Sequence, residues 1–412
     1  MKFLIATLFF YSWIMNSIPG QQRSLAYYID QATTNSPLIR DFQNQIRINQ
    51  FDSLLILAAQ RPQVSFTGNE SYAPVIGGYG YDKAITNGAN LSALVGVSKS
   101  LLNGIGNRAQ FANLKLLSDA IRNNSTITVQ DIRRSIISQY ILAYGDMVQV
   151  AFTKEIQHML NRQDTVLKKL TGKNVYKQVD YLSFYVTLQQ NEFKLKQQVI
   201  LYQNDYAMLN YLAGIADTSQ TALEKPDLSV AELPGIEQSA FFQKYYIDSL
   251  ALVNNKTLID IIYRPRLNVF ADAGYNSSLE FTPYKNIGTS VGLSLVVPIY
   301  DGRQKKLAYS KIAVQEDTRV ANREFFMKQY YQQVAQLKQQ LQAATTLVSD
   351  IRVQLKYIET LIRMNEKLLQ TGDVRIYDYI QALNNYLATR NLINENTITQ
   401  LQLINQINYW SR

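Results

Sequence analysis

The sequence has no cysteine and one histidine in 412 residues. Disulfide scaffolds and thiolate metal sites are therefore excluded. A Ser-His-Asp or Cys-His nucleophile would have to be built on His158. Proline is scarce, at 9, and glycine numbers 18, so long stretches run without a helix breaker. Beyond the first residues, no apolar run reaches the roughly 18 uncharged positions of a transmembrane helix. With 47% apolar and 18% charged residues the composition is not that of a disordered chain. Tyrosine, by contrast, occurs 28 times, which suits many half-wet, half-apolar positions at interfaces or membrane boundaries.

The chain opens with MKFLIATLFFYSWIM, in which Lys2 precedes an apolar run from Phe3 to Met15. That run is shorter than the roughly 20 residues needed to span a bilayer. It reads as a secretory signal peptide over residues 1–20, cut near Gly20. No Cys follows it to carry a lipid anchor. The mature chain is expected to be exported, and either soluble or membrane-bound by a route other than a helix.

Internal similarity is the most informative feature. Arg61-Pro62-Gln63-Val64 returns 203 residues later as Arg264-Pro265-Arg266-Leu267. Val95-Gly96-Val97 ending in Asn103-Gly104 returns 198 residues later as Leu293-Ser294-Leu295 ending in Asp301-Gly302, and Asp180-Tyr181-Leu182 returns at the same offset as Asp378-Tyr379-Ile380. Three pairs in one order predict a duplicated unit, residues 21–214 and 239–412, joined by an irregular connector over 215–238 rich in Pro and Gly. A helical segment over 24–60, with Ser36-Pro37 as a helix start, leads to the first Arg-Pro, and one over 239–262 leads to the second.

Each unit begins with two strands, at about 63–72 and 90–100, then 266–275 and 289–300. Leu91, Ala93, Val95 and Val97 alternate with small or polar residues, as do Val291, Leu293, Leu295, Val297 and Ile299. About ten residues is the length at which a tilted strand crosses a bilayer, and apolar-out, polar-in alternation is the pattern of a membrane barrel. Leu91, Val95, Val97, Val291, Leu293, Leu295 and Val297 are thus expected on a lipid-facing surface. Four strands cannot close a barrel and open edges cannot sit in lipid, so several chains would have to share one.

The strands give way to Pro-free regions rich in Gln, Leu, Ala, Lys and Ile, about 107–214 and 304–409. Each is interrupted once, at Thr171-Gly172-Lys173-Asn174 and at Thr371-Gly372-Asp373, which predicts two antiparallel helical hairpins with tips near 172 and 372. The arm from Gln304 to Gln370 would run roughly 100 Å. Val334, Leu337, Leu341, Ala344, Val348, Ile351, Leu355, Ile358 and Ile362 step by alternating threes and fours, a coiled-coil seam.

Other chemistry finds little support. Gly104-Ile105-Gly106 lacks a third glycine and a βαβ setting, and no phosphate-binding loop is present. His158 has Glu155 three residues away and nothing to complete a metal set. Lys and Arg total 41 against 32 acids, a net +9, but they are interspersed with acids and Gln along the helices, unlike a nucleic-acid surface. No enzyme, cofactor or metal centre is expected.

The tandem strand-loop-strand plus helical hairpin, Arg264-Pro265 to Asp301-Gly302, and the stretch Gly372-Asp373-Val374-Arg375-Ile376-Tyr377-Asp378-Tyr379-Ile380-Gln381-Ala382 resemble the TolC-like outer-membrane efflux protein family. The resemblance implies a mainly α fold with a small β part: a homotrimer whose twelve-stranded β-barrel continues into an α-helical barrel. It implies a passive duct in the cell outer membrane with a long periplasmic tunnel, serving a tripartite efflux or type I secretion system. Implied partners are outer-membrane lipid, a periplasmic adaptor (membrane fusion) protein and an inner-membrane pump of RND, ABC or MFS type, with no nucleic acid. Adaptor docking is implied around the tips, at Gly172, Asp180, Gly372 and Asp373. An acidic ring at the entrance is implied at Asp378, where the family's second Asp is Gln381 here, leaving three carboxylates per trimer instead of six. The reading of another class is an exported coiled-coil scaffold or adhesin without a channel.

Overall fold

The structure is a computed structural model that describes residues 23–81, 89–102, 104–217, 219–233, 235–279 and 282–411. The expected signal peptide, and positions 82–88 of the first inter-strand loop, lie outside the described residues. The elements are α1 (Leu25–Asn35), α2 (Pro37–Ala59), β1 (Gln63–Tyr72), β2 (Ala89–Ser100), α3 (Gly104–Gly172), α4 (Gln178–Leu212), α5 (Ala240–Ile262), β3 (Arg266–Ser277), β4 (Ile287–Val296), α6 (Gln304–Thr371) and α7 (Ile376–Tyr409). The order strand, strand, long helix, shorter helix thus occurs twice. The chain forms two compact units. One comprises residues 38–127 and 235–330, and the other comprises residues 1–37, 128–234 and 331–412.

The first of these contains the sheet, in the order β1-β2-β3-β4 with every neighbour antiparallel. Register determines its character. Val64 lies opposite Val97 and Phe66 opposite Val95. Val95 and Val97 lie opposite Ala273 and Ala271, and Ala271, Val269 and Leu267 lie opposite Val291, Leu293 and Leu295. Directly paired residues share a face, so these form one apolar surface across all four strands. The opposite face carries Ser65, Thr67, Ser92, Gly96, Asp272 and Ser290. The apolar face is bare: Val291 is 79% exposed and Phe66 72%. β1 and β4 each have one unpaired edge in the chain.

β4 departs from its expected span. It runs over Ile287–Val296, not 289–300. Pro298 has no N–H to give to a ladder, so pairing stops before it and Val297 lies past the strand end. All four helices adjoining the sheet meet it at one end, where Gln63 faces Ser98 and Arg266 faces Val296. The inter-strand loops occupy the other end. There Gly77 and Gly78 take φ of 61° and 87°, and the peptide groups of Ile76 and Tyr79 bond to each other at 3.0 Å, a tight hairpin turn that requires left-handed residues.

Side-chain amides tie the helices of this unit to backbone carbonyls. Asn123 Nδ2 donates to Ala240 O at 2.9 Å and Asn254 Nδ2 to Ala109 O at 3.1 Å. Asp301 starts α6 by accepting from the N–H groups of Arg303 and Lys305 at 2.9 and 2.8 Å. These satisfy donors that a helix start leaves open.

The other unit is all helix and connector. The 69 residues of α3 and 68 of α6 contain no proline, which is what lets each run unbroken. The seam on α6 from Val334 to Ile362 is buried or half-buried at every expected position. Leu337 and Ala344 pack with Leu403 and Ile407 of α7, each buried large side chain contributing about 1.5–3 kcal/mol. A second cluster joins Tyr28 and Ala32 of α1 to Tyr140, Tyr206 and Leu209 of α3 and α4, closed by Leu223 of the connector. The Tyr140 hydroxyl donates toward the carbonyls of Arg23 and Glu224, at 3.0 and 2.8 Å, holding the connector against the N-terminal segment.

One contact in this unit opposes folding at neutral pH. Asp146 of α3 faces Asp205 of α4, and its Oδ2 is buried without a donor. Burial first, and then the Asp205 carboxyl, push the Asp146 carboxyl up from 3.8 to about 7. Gln139 Nε2 donates to Asp205 at 3.0 Å. The proton binds the folded state more tightly, so the stability it lends is full below pH 4 and lost as pH rises to about 7. Asp146→Asn should therefore melt higher than the parent at pH 8, the gap opening between pH 4 and 7. An equal gap across that range, measured by circular dichroism, would refute the pairing.

Candidate functional site

The unit without the sheet ends in the two hairpin turns. Their geometry follows from how α3 and α6 stop. At the end of α6, Gly372 takes φ 83° and Asp373 N–H reaches back to Leu368 O at 3.0 Å. This is a Schellman cap with glycine in the left-handed position. At the end of α3 the same bond runs from Val175 N–H to Leu170 O at 3.0 Å, but the left-handed residue is Asn174, at φ 62°. Gly172 is the last helical residue, near the expected tip, and Asn174 can supply the turn because asparagine also tolerates the left-handed region.

The two turns lie side by side. The Tyr176 hydroxyl donates toward Leu369 O at 3.1 Å and Val374 O at 2.9 Å, so a side chain of the first turn satisfies carbonyls of the second. Burial, and then Asp373, raise that hydroxyl's pKa and keep it a donor. A methyl on Gly372 would lie 2.7 Å from Val175 Cγ1. Beneath the turns, Leu167, Phe184, Leu369, Ile376, Tyr379 and Leu383 form a closed apolar cluster. Ile376, Tyr379 and Leu383 recur at helical spacing on α7, which sets which face of that helix is hidden.

That orientation presents Asp378. It is the third residue of α7, half-buried, in the turn where the helix dipole favours a carboxylate. Arg375, the residue before α7, grips it: Nε to Oδ2 at 2.9 Å and NH2 to Oδ1 at 3.1 Å. Gln381 is exposed three residues on. Asp180 holds the same third position on α4, after Lys177, and is exposed. The structure thus brings Gly172, Asp180, Gly372, Asp373, Asp378 and Gln381 to one end of this unit. The apolar set Leu91, Val95, Val97, Val291, Leu293 and Leu295 belongs to the sheet, in the other. Arg375 and Tyr176 were not singled out from sequence. A basic residue three before each tip Asp, Lys177 and Arg375, was the available signal for the first.

Among the described residues no group of three or more His, Asp or Glu is arranged to hold a metal, and no helix is long and apolar enough to cross a membrane. No protein-family model matches the sequence, and no curated protein does. Solved structures do match. A membrane protein from Pseudomonas aeruginosa aligns at TM-score 0.74 and 15% identity, over 94% of this chain and 92% of that one. The outer membrane protein VceC of Vibrio cholerae aligns at 0.73 and 14%, over 94% and 96%. The open state of the Neisseria gonorrhoeae MtrE outer membrane channel aligns at 0.73 and 11%, over 94% and 88%.

The fold is TolC-like. The likeness spans nearly the whole chain, and at these identities it concerns backbone architecture rather than side chains. Within this TolC-like frame, the tip chemistry has to be read from this chain's own residues: one acidic side chain per α7 start, an arginine holding it, and glutamine where a second acid is absent.

Two substitutions test the tip. Tyr176→Phe, which leaves the Leu369 carbonyl at the end of α6 and the Val374 carbonyl of the turn without this donor, should cost about 1 kcal/mol in thermal or denaturant unfolding. Gly372→Ala should cost about 1–2 kcal/mol for the left-handed backbone alone, with Val175 adding to it. Unchanged melting in both would show that the turns do not depend on these contacts.

Proposed function

We propose that this protein is the outer-membrane channel of an export system: a passive trimeric duct that carries solutes or proteins across the periplasm and outer membrane and does no chemistry. The observation that carries the reading is the bare apolar face of a four-stranded sheet with both edges unpaired. In water such a surface invites aggregation. In lipid it is the expected outside of a barrel wall, provided the edges pair with other copies. Three copies supply twelve strands.

The helices support the same reading. Val179, Val186, Phe193 and Ile200 of α4 recur every seven residues and are all more than half exposed. Val353, Tyr357 and Met364 of α6 are likewise exposed. A soluble single chain has little reason to leave heptad stripes bare, whereas neighbouring copies in a helical barrel would cover them. The loops at the far end of the sheet would then face outside the cell, and the hairpin tips would form the periplasmic entrance. There an adaptor would dock around Gly172, Asp180, Gly372 and Asp373, delivering cargo from an inner-membrane pump. Asp378, tied to Arg375, would ring that entrance.

The reading is tested by extracting outer membranes and measuring the native particle. A detergent-requiring trimer is expected. A monomer, or release by salt alone, would replace the channel with an exported coiled-coil scaffold. In planar bilayers, Asp378→Ala and Arg375→Ala should each raise open probability to a similar extent. The double variant should add nothing, since both break one pair. Each ion pair this exposed contributes about 0.2–1 kcal/mol, so the gain is at most about fivefold per subunit. It should shrink in high salt. Additive effects of the two variants would show that the pair is not the latch.

A further inference from the structure

The sequence reads as evenly mixed in charge, but the topology gathers cations at one place. The helix-bearing end of the sheet is built from residues 52–63, 98–111, 258–268 and 297–311. These contribute one, two, two and four basic residues, nine in all, against three acids, Asp52, Asp260 and Asp301. Two of those acids are already engaged. Asp260 accepts from Tyr309 at 2.6 Å and pairs with Lys305 at 2.7 Å. Asp301 accepts from the backbone at the start of α6. Arg303 and Lys306 make no ion pair among the described residues and are exposed.

Beside them lies an open groove of about 720 Å³. Its lining includes the basic Arg303, Lys305 and Lys306, one acid, Asp301, and the apolar or aromatic Pro298, Ile299 and Tyr300. Ile299 is 96% exposed. Tyr263 and Tyr309 flank it, each with Lys305 5.7 Å above its ring. The groove therefore sets positive charge, tyrosine and bare apolar surface within one site, just past the end of the apolar strand face. A soluble anion needs only the charge. An amphipathic anion uses all three. Ten-residue strands tilted as in a barrel rise about 25 Å, so their ends reach the headgroup level, where tyrosines collect and cations meet acidic lipid.

We propose that this groove is a site for an anionic phospholipid, with its phosphate held by Arg303 and Lys306 and its chains on the apolar side toward β4. The proposal rests on the membrane reading above. It is a specificity beyond general immersion in lipid: the junction selects headgroup charge and orients the barrel by it.

The test is retention of lipid by the detergent-extracted particle, counted by native mass spectrometry after incubation with phosphatidylglycerol or phosphatidylethanolamine of identical chains. The parent should retain phosphatidylglycerol about tenfold over phosphatidylethanolamine. Arg303→Gln with Lys306→Gln should erase that preference, and Lys306→Gln alone should reduce it, while Lys285→Gln at the opposite end of the sheet leaves it intact. Each variant is checked for unchanged particle mass and melting. Equal retention of both lipids by the parent, or an unaltered preference in the double variant, overturns the proposal. So does displacement of phosphatidylglycerol by excess inorganic phosphate, which would mark a free-anion site. A detergent-extracted trimer without preference removes this site alone. Release of the protein by salt removes the membrane reading as well.

Discussion

The backbone of the two outer strands sets the terms for everything else. β1 and β4 each present a row of N–H and C=O groups that this chain cannot pair. Water would satisfy those groups but leave the apolar face of the sheet exposed. Hydrocarbon would satisfy the face but charge several kcal/mol for each unpaired group. No single medium therefore satisfies both the edges and the face of one chain, and the channel proposal rests on that tension. The exposed heptad stripes on α4 and α6 repeat the same demand in helical form. Sheet and helices are incomplete in the same way, each leaving apolar surface uncovered in the single chain.

The tip is organised on a different principle. It relies on local closure: two Schellman caps, one tyrosine hydroxyl bridging two carbonyls, and an apolar cluster that fixes the face of α7. Few of its contacts are strong. The Arg375–Asp378 pair has an arginine side chain that is mostly solvent-exposed and so adds little to stability. Such exposed contacts cost little to break singly, unlike those of the apolar cluster beneath them.

Much of this fold was legible because its signals are periodic. The three-four steps from Val334 to Ile362 and the alternation from Val291 to Leu295 follow directly from helix and strand geometry, and both faces lie where the period puts them. The end of β4 was misjudged because the apolar alternation runs on through Val297 and Ile299, whereas the missing N–H of Pro298 decides the pairing. Gly172 is the last residue of α3, close to the expected tip, but that Asn174 takes the left-handed position is visible only in the backbone. Tyr176 and the cationic junction depend on contacts that the sequence does not reveal, and Arg375 had only the repeated basic residue three before each tip Asp to mark it. In the junction, four segments far apart in sequence meet, so an even distribution of charge becomes a concentrated one.

The central seam of the sheet joins β2 to β3, and its sequence-closest partners, Ser100 and Asn268, are 168 residues apart. Everything from α3 to α5 must be made before that seam can close, whereas α3 and α4 can form from local contacts. Closing so long a loop is slow relative to forming helices. For a period after synthesis the chain thus carries two separate hairpins, each with an apolar face and two open edges. That interval is when the protein is most vulnerable to wrong pairing, since both hairpins keep open edges. The length of chain between two paired strands thus sets how long those edges stay open.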